Sequence, residues 1–130
     1  MSSQMMSSQT LALLAEVGRV MFVIYFIVMG SSHLVNFTEH SALLRRKGVP
    51  LPVAATGLTV VMMVGGGLLV LFDWHRTIGA ALLAGIIFPA PFFLHHFWNE
   101  TDSYSRLSEF AHFIKDISLA GAALFLMTLP

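Results

Sequence analysis

The chemically capable side chains of this chain cluster by type and spacing. His33, His95, His96, Glu109, His112, Lys115 and Asp116 stand close to the ends of long apolar runs. Glu109, His112 and Asp116 share one helical face through three- and four-residue spacing, and Lys115 sits beside them. Imidazole changes charge near neutral pH. With a carboxylate beside it, it forms an acid–base pair. One chemistry open to this set is hydrogen bonding and proton exchange with the headgroup of a lipid-soluble quinone. A second is ligation. Glu109-x-x-His112 has the spacing used by di-iron bundles, but those need a second copy and further Glu on the other helices. Residues 51–98 contain no Glu. A mononuclear site from His33, His96 and His112 stays open, as does a haem or pigment held by two histidines. The third possibility is passive. Histidines beside Phe97 and Trp98 can sit among lipid headgroups, Lys115 can snorkel, and Glu109 suits a helix N-terminus.

Placing these residues together is the task of the apolar runs. The chain has 130 residues, of which 56% are hydrophobic and 11% charged, with mean hydropathy +0.78. Soluble domains carry about 25% charged residues. So little charge cannot cover a water-facing surface. Seven basic side chains balance seven acidic ones, so no basic excess is available for nucleic acid. The absence of Cys removes disulfides, thiolate metal sites and iron–sulfur clusters.

A bilayer core about 30 Å thick needs about 20 apolar helical residues. Four runs meet that length, at about 11–35, 51–72, 77–98 and 109–129. A barrel would instead show alternating segments about ten residues long. The expected fold is all-α, an antiparallel four-helix membrane bundle running up-down-up-down. Residues 1–10 form a polar tail with a near-repeat, and residues 11–130 form a single domain. Thr10 is the expected cap of the first helix. Residues 36–50 hold an interfacial helix, with Thr38 as cap and Gly48 just past its end. Leu43 and Leu44 face lipid there, and Arg45, Arg46 and Lys47 face water.

The alternation of spans brings His33, His95, His96, Glu109, His112, Lys115 and Asp116 to one membrane side. Glu39 and His40 belong to that side too. Pro89 and Pro91 free the carbonyls of Gly85 and Ile87. The resulting break either serves packing or opens a cavity beneath His95 and His96. Phe88, Phe92, Phe93, Phe97 and Phe110 are candidates to line an apolar slot. Ala80, Ala81, Ala84 and Gly85, and in the fourth span Ser118, Gly121 and Ala122, offer close packing faces. Gly65–Gly67 offers packing or a bend. On the other side, Glu16 with Arg19 and Asp73 with Arg76 read as structural ion pairs. Arg45, Arg46, Lys47, Arg106 and Lys115 outnumber Arg19 and Arg76. Loops 36–50 and 99–108 are therefore expected in the cytoplasm and both termini outside.

Several ordered elements resemble the DoxX family of small four-helix membrane proteins. They are Gly18-Arg19, Gly30-Ser31-Ser32-His33-Leu34, Lys47-Gly48-Val49-Pro50-Leu51-Pro52 and Val64-Gly65-Gly66-Gly67-Leu68-Leu69. His95-His96-Phe97-Trp98 and Phe113-Ile114-Lys115-Asp116-Ile117-Ser118-Leu119-Ala120-Gly121 complete the series. Met62 and Met63 stand where relatives often place Glu, and Asp116 stands where Asn is frequent. The resemblance implies a bacterial or archaeal plasma-membrane protein. Relatives include the DoxD-type subunit of thiosulfate:quinone oxidoreductase and proteins that join soluble redox enzymes. The implied role is quinone-linked or accessory within a membrane redox complex, attached to His33, His96, His112, Lys115 and Asp116. Its partners would be lipid and other membrane or redox subunits. A competing reading is a non-catalytic structural subunit of a respiratory or photosynthetic assembly, its histidines anchoring the bundle or ligating haem or pigment.

Overall fold

Apolar runs too long for strands satisfy their backbone only as helices in hydrocarbon. A computed structural model describes residues 7–130. Helix α1 spans Ser8–Val35, α2 Phe37–Arg46, α3 Pro52–Leu71, α4 Arg76–Ile87, α5 Ala90–Leu94 and α6 Ser103–Thr128. Among the described residues, four spans are long and apolar enough to cross a bilayer: α1, α3, the broken unit Arg76–Asn99, and α6. The protein is an all-helical, antiparallel four-span membrane bundle. Much of its surface is apolar and faces outward, with Met21, Leu13 and Phe125 more than half exposed. In lipid such exposure is expected, because the bilayer replaces the protein interior as the apolar environment.

The ends of the helices differ from the sequence expectation in instructive ways. Residues 1–6 of the expected tail lie outside the described residues, and Ser8–Thr10 already belong to α1. Ser7, not Thr10, caps α1: its hydroxyl accepts the Thr10 N–H at 3.2 Å. Asn36, not Thr38, precedes α2. At the other end of α2, Gly48 has φ +76°. Its N–H donates to the Arg45 carbonyl at 3.1 Å, and Val49 N–H donates to Leu44 at 3.0 Å. That paired closure needs a left-handed residue, which glycine adopts without strain.

Helix α6 begins well before Glu109. The Asp102 carboxylate accepts the Ser105 N–H at 2.8 Å and starts the helix at Ser103. The stretch 103–108 carries Ser103, Ser105, Arg106 and Ser108, so hydropathy alone reads it as loop. The 99–108 connection therefore shrinks to a single turn, Phe97–Asn99, and three linking residues.

Packing within the bundle is closest where α3 meets α4. A Cβ on Gly79 would lie 2.7 Å from the Gly66 carbonyl oxygen, so only glycine permits this approach. A five-residue π turn, Val61–Gly65, interrupts α3. Such turns add a residue and re-aim the side chains around them. Met63 is buried there beside Gly30. The core continues through Val23, Phe26, Val70, Leu83 and Ile87 to Ala120 and Ala123 of α6. A methyl group added at Gly121 would meet nothing within 4 Å, so α6 packs through Ala120 and Ala123 rather than through Ser118, Gly121 and Ala122. A buried Ser41 hydroxyl donates to Thr56 at 2.9 Å, and Thr56 donates to the Pro52 carbonyl at 2.9 Å. This chain of hydroxyls fastens the interfacial helix α2 to α3.

Candidate functional site

A cavity of about 420 Å³ lies between all six helices, with α4 contributing Ile86 and Ile87. Pro89 and Ala90 form part of its wall, so the helix break contributes directly to the opening. Leu43, Leu58, Met63, Ile87 and Phe93 make one portion apolar. His33, His40, His95, His112, Lys115 and Asp116 supply the polar portion.

Most of the polar groups touch one another. His95 Nδ1 lies 3.0 Å from Glu109 Oε2, and His95 Nε2 lies 3.6 Å from Asp116 Oδ2. The His95 and His112 rings are stacked, 5.2 Å between centroids. His112 Nδ1 is 3.4 Å from Lys115 Nζ, which is itself 3.4 Å from Asp116 Oδ1. Asp116 is 3% exposed, and its Oδ1 receives no directed hydrogen bond despite that ion contact. A buried carboxylate oxygen left short of a donor is a costly acceptor.

His96 is the residue that does not join. The helix stops at Leu94, and His95 (φ −112°, ψ 72°) and His96 (φ −83°, ψ 60°) are not helical. On such backbone, successive side chains point apart. His95 turns into the cavity. The His96 ring Nε2 instead bonds the Phe92 carbonyl at 2.8 Å and packs on Trp98. That carbonyl lost its helical partner when α5 ended, so His96 serves as a cap. The trio His33, His96 and His112 is therefore not assembled. Among the described residues, no group of three or more His, Asp or Glu could hold a metal ion. The His33–His40 and His95–His112 pairs present stacked ring faces to each other. An axial ligand pair for haem needs two nitrogens converging on one point, which stacked faces do not supply.

Two contributors carry no mark in the hydropathy pattern. Tyr25 lines the cavity, and Lys115 Nζ stands 5.2 Å from its ring centroid. Tyr25, Met29 and His33 follow a four-residue spacing along α1, which is the signal that unites them. His40, on α2, stacks on His33 at 3.8 Å. Burial holds the His40 imidazole below its usual pKa, so it is neutral at neutral pH.

Of the candidate phenylalanines, only Phe93 lines this cavity. Phe92, Phe97 and Phe110 build an edge-to-face cluster with Phe113 that closes the bundle end beside Trp98. Phe88 faces a separate groove between α4 and α6. On the opposite membrane side, Arg19 pairs with Glu16 and reaches Asp73 at 3.4 Å. Asp73 also meets Arg76 at 3.3 Å, and Arg76 donates to the Leu129 carbonyl at 2.8 Å. This network ties α1, the 73–76 hairpin and the end of α6 together.

The model of the DoxX family matches residues 14–96. No curated protein and no solved structure matches the chain.

Proposed function

This chain belongs to the DoxX family, and on that premise we propose that it is a quinone-linked or accessory subunit of a membrane redox complex, with its cavity as the headgroup site. The observation that carries the reading is Asp116: a buried carboxylate oxygen that lacks a directed donor, at the polar end of a cavity whose other walls are apolar. A quinol ring fits that chemistry. Its hydroxyl would donate to Asp116, while Lys115 and His112 would donate to a quinone carbonyl. Its isoprenoid tail would lie along Leu43, Leu58, Met63 and Phe93. His33 and His40 would border the ring with their stacked imidazole faces.

The same reading places the protein in the plasma membrane of a bacterium or archaeon, with the cavity side in the cytoplasm. Arg45, Arg46 and Lys47 beside the cavity suit contact with anionic lipid or an acidic redox partner on that side.

Titration of the protein in mild detergent with a short-chain quinone, read by quenching of intrinsic fluorescence, tests this. Loss of one charge-assisted hydrogen bond should weaken binding by about tenfold or more in His112→Ala and in Asp116→Ala. Unchanged affinity in both variants would overturn the site assignment and leave a scaffolding role.

A further inference from the structure

His95 sits between two carboxylates of the same helix. Nδ1 faces Glu109 at 3.0 Å and Nε2 faces Asp116 at 3.6 Å. Glu109 is partly exposed and stands near the start of the apolar portion of α6, whereas the Asp116 side chain is only 5% exposed. The two lie seven residues apart, about 10 Å along the helix axis. No other α6 side chain is in contact with both carboxylates. An imidazole reaching across from the end of α5 is, because its two nitrogens point in opposite directions.

We infer that His95 is a proton relay that connects Glu109, at the membrane surface, to Asp116 inside the cavity. Glu109 takes a proton from water and passes it to His95 Nδ1. The Nε2 proton of the same ring passes to the Asp116 carboxylate. One proton enters and one arrives, no electrons move, and His95 changes tautomer. Rotation of the ring, or the reverse transfer, restores the starting state. The 3.6 Å gap closes by a small side-chain rotation, as catalytic hydrogen bonds commonly do when a ligand arrives. The other charged or titratable groups around the ring are His112, stacked on it, and Lys115, paired with Asp116. His33 and His40 lie across the cavity. None of these links Asp116 to Glu109. The inference rests on the quinone reading for what the proton is used for, not for the transfer itself.

Time-resolved infrared spectroscopy on the full chain in lipid vesicles tests the relay. The Asp116 carboxyl band is identified by its loss in Asp116→Asn, and its growth is followed after a downward pH jump. Glu109→Gln and His95→Ala should each slow that growth by about tenfold or more. Free imidazole should restore the rate in His95→Ala and not in Glu109→Gln. A merely structural histidine would show no such rescue. Growth at the wild-type rate in both variants, or no titrating Asp116 band in the wild type, would overturn the relay. Quinone affinity of the wild-type protein is measured in the same vesicles. Loss of quinone binding with the relay intact would defeat the quinone reading alone.

Discussion

The imidazole rings of His33 in α1 and His40 in α2 are stacked, 3.8 Å apart and 23° from parallel. Two protonated rings would not stay at that distance. Burial lowers the pKa of His40. A detached α2 would therefore take up a proton more readily than a docked one. The docking energy is fully present above the ordinary histidine pKa of about 6.5, and it falls as pH drops below that value towards the docked pKa. Amide exchange in α2 should accelerate across this window. His40→Phe keeps the stacking surface and should reduce the pH dependence, leaving only what His33 contributes.

The Gly66–Gly79 contact sets how closely α3 and α4 approach. Gly79→Ala forces a methyl group against a backbone oxygen 2.7 Å away. Overpacking of this kind costs about 1–3 kcal/mol. Gly121→Ala meets nothing within 4 Å and replaces a poor helix former. Denaturation in mixed detergent should show the first variant destabilised and the second unchanged or improved.

Arg19 is mostly buried, its side chain 13% exposed, yet its partner Asp73 is about half exposed. Solvent screens the pair strongly. A double-mutant cycle of Arg19→Ala with Asp73→Ala should give a coupling of about 0.2–1 kcal/mol. A coupling of zero would mean that the contact only fills space.

Asp102 starts α6 by accepting the Ser105 N–H, which holds its carboxyl below the usual carboxylate pKa. The cap is therefore at full strength above the usual range, near about pH 4. It is lost as pH falls through the depressed value. Asp102→Ala should raise amide exchange in Ser103–Arg106 at neutral pH, while Asp102→Asn should retain most of the protection.

The spans and their alternation can be read from the sequence because hydrophobic length in a bilayer has few solutions. The gathering of His33, His95, His112, Lys115 and Asp116 on one side follows from that alternation alone. Finer placement does not. His95 and His96 are adjacent letters with the same chemistry, and only the non-helical backbone after Leu94 sends one inward and the other onto Phe92. Tyr25 lies deep in an apolar run, where its hydroxyl leaves no trace in hydropathy. The early start of α6 is hidden because its first turns are polar. The π turn at Val61–Gly65, which sets how Met63 is aimed, has no sequence signature that separates it from ordinary helix.

Whether the cavity takes up quinone is decided by photo-crosslinking with an azido-quinone, mapped by peptide mass spectrometry. Label is expected on cavity residues such as Tyr25, Met63 and Phe93, suppressed by excess unlabelled quinone and reduced in Asp116→Ala. Label confined to the groove formed by Ala81, Phe88, Leu124 and Met127, or label that excess quinone does not displace, would contradict the assignment.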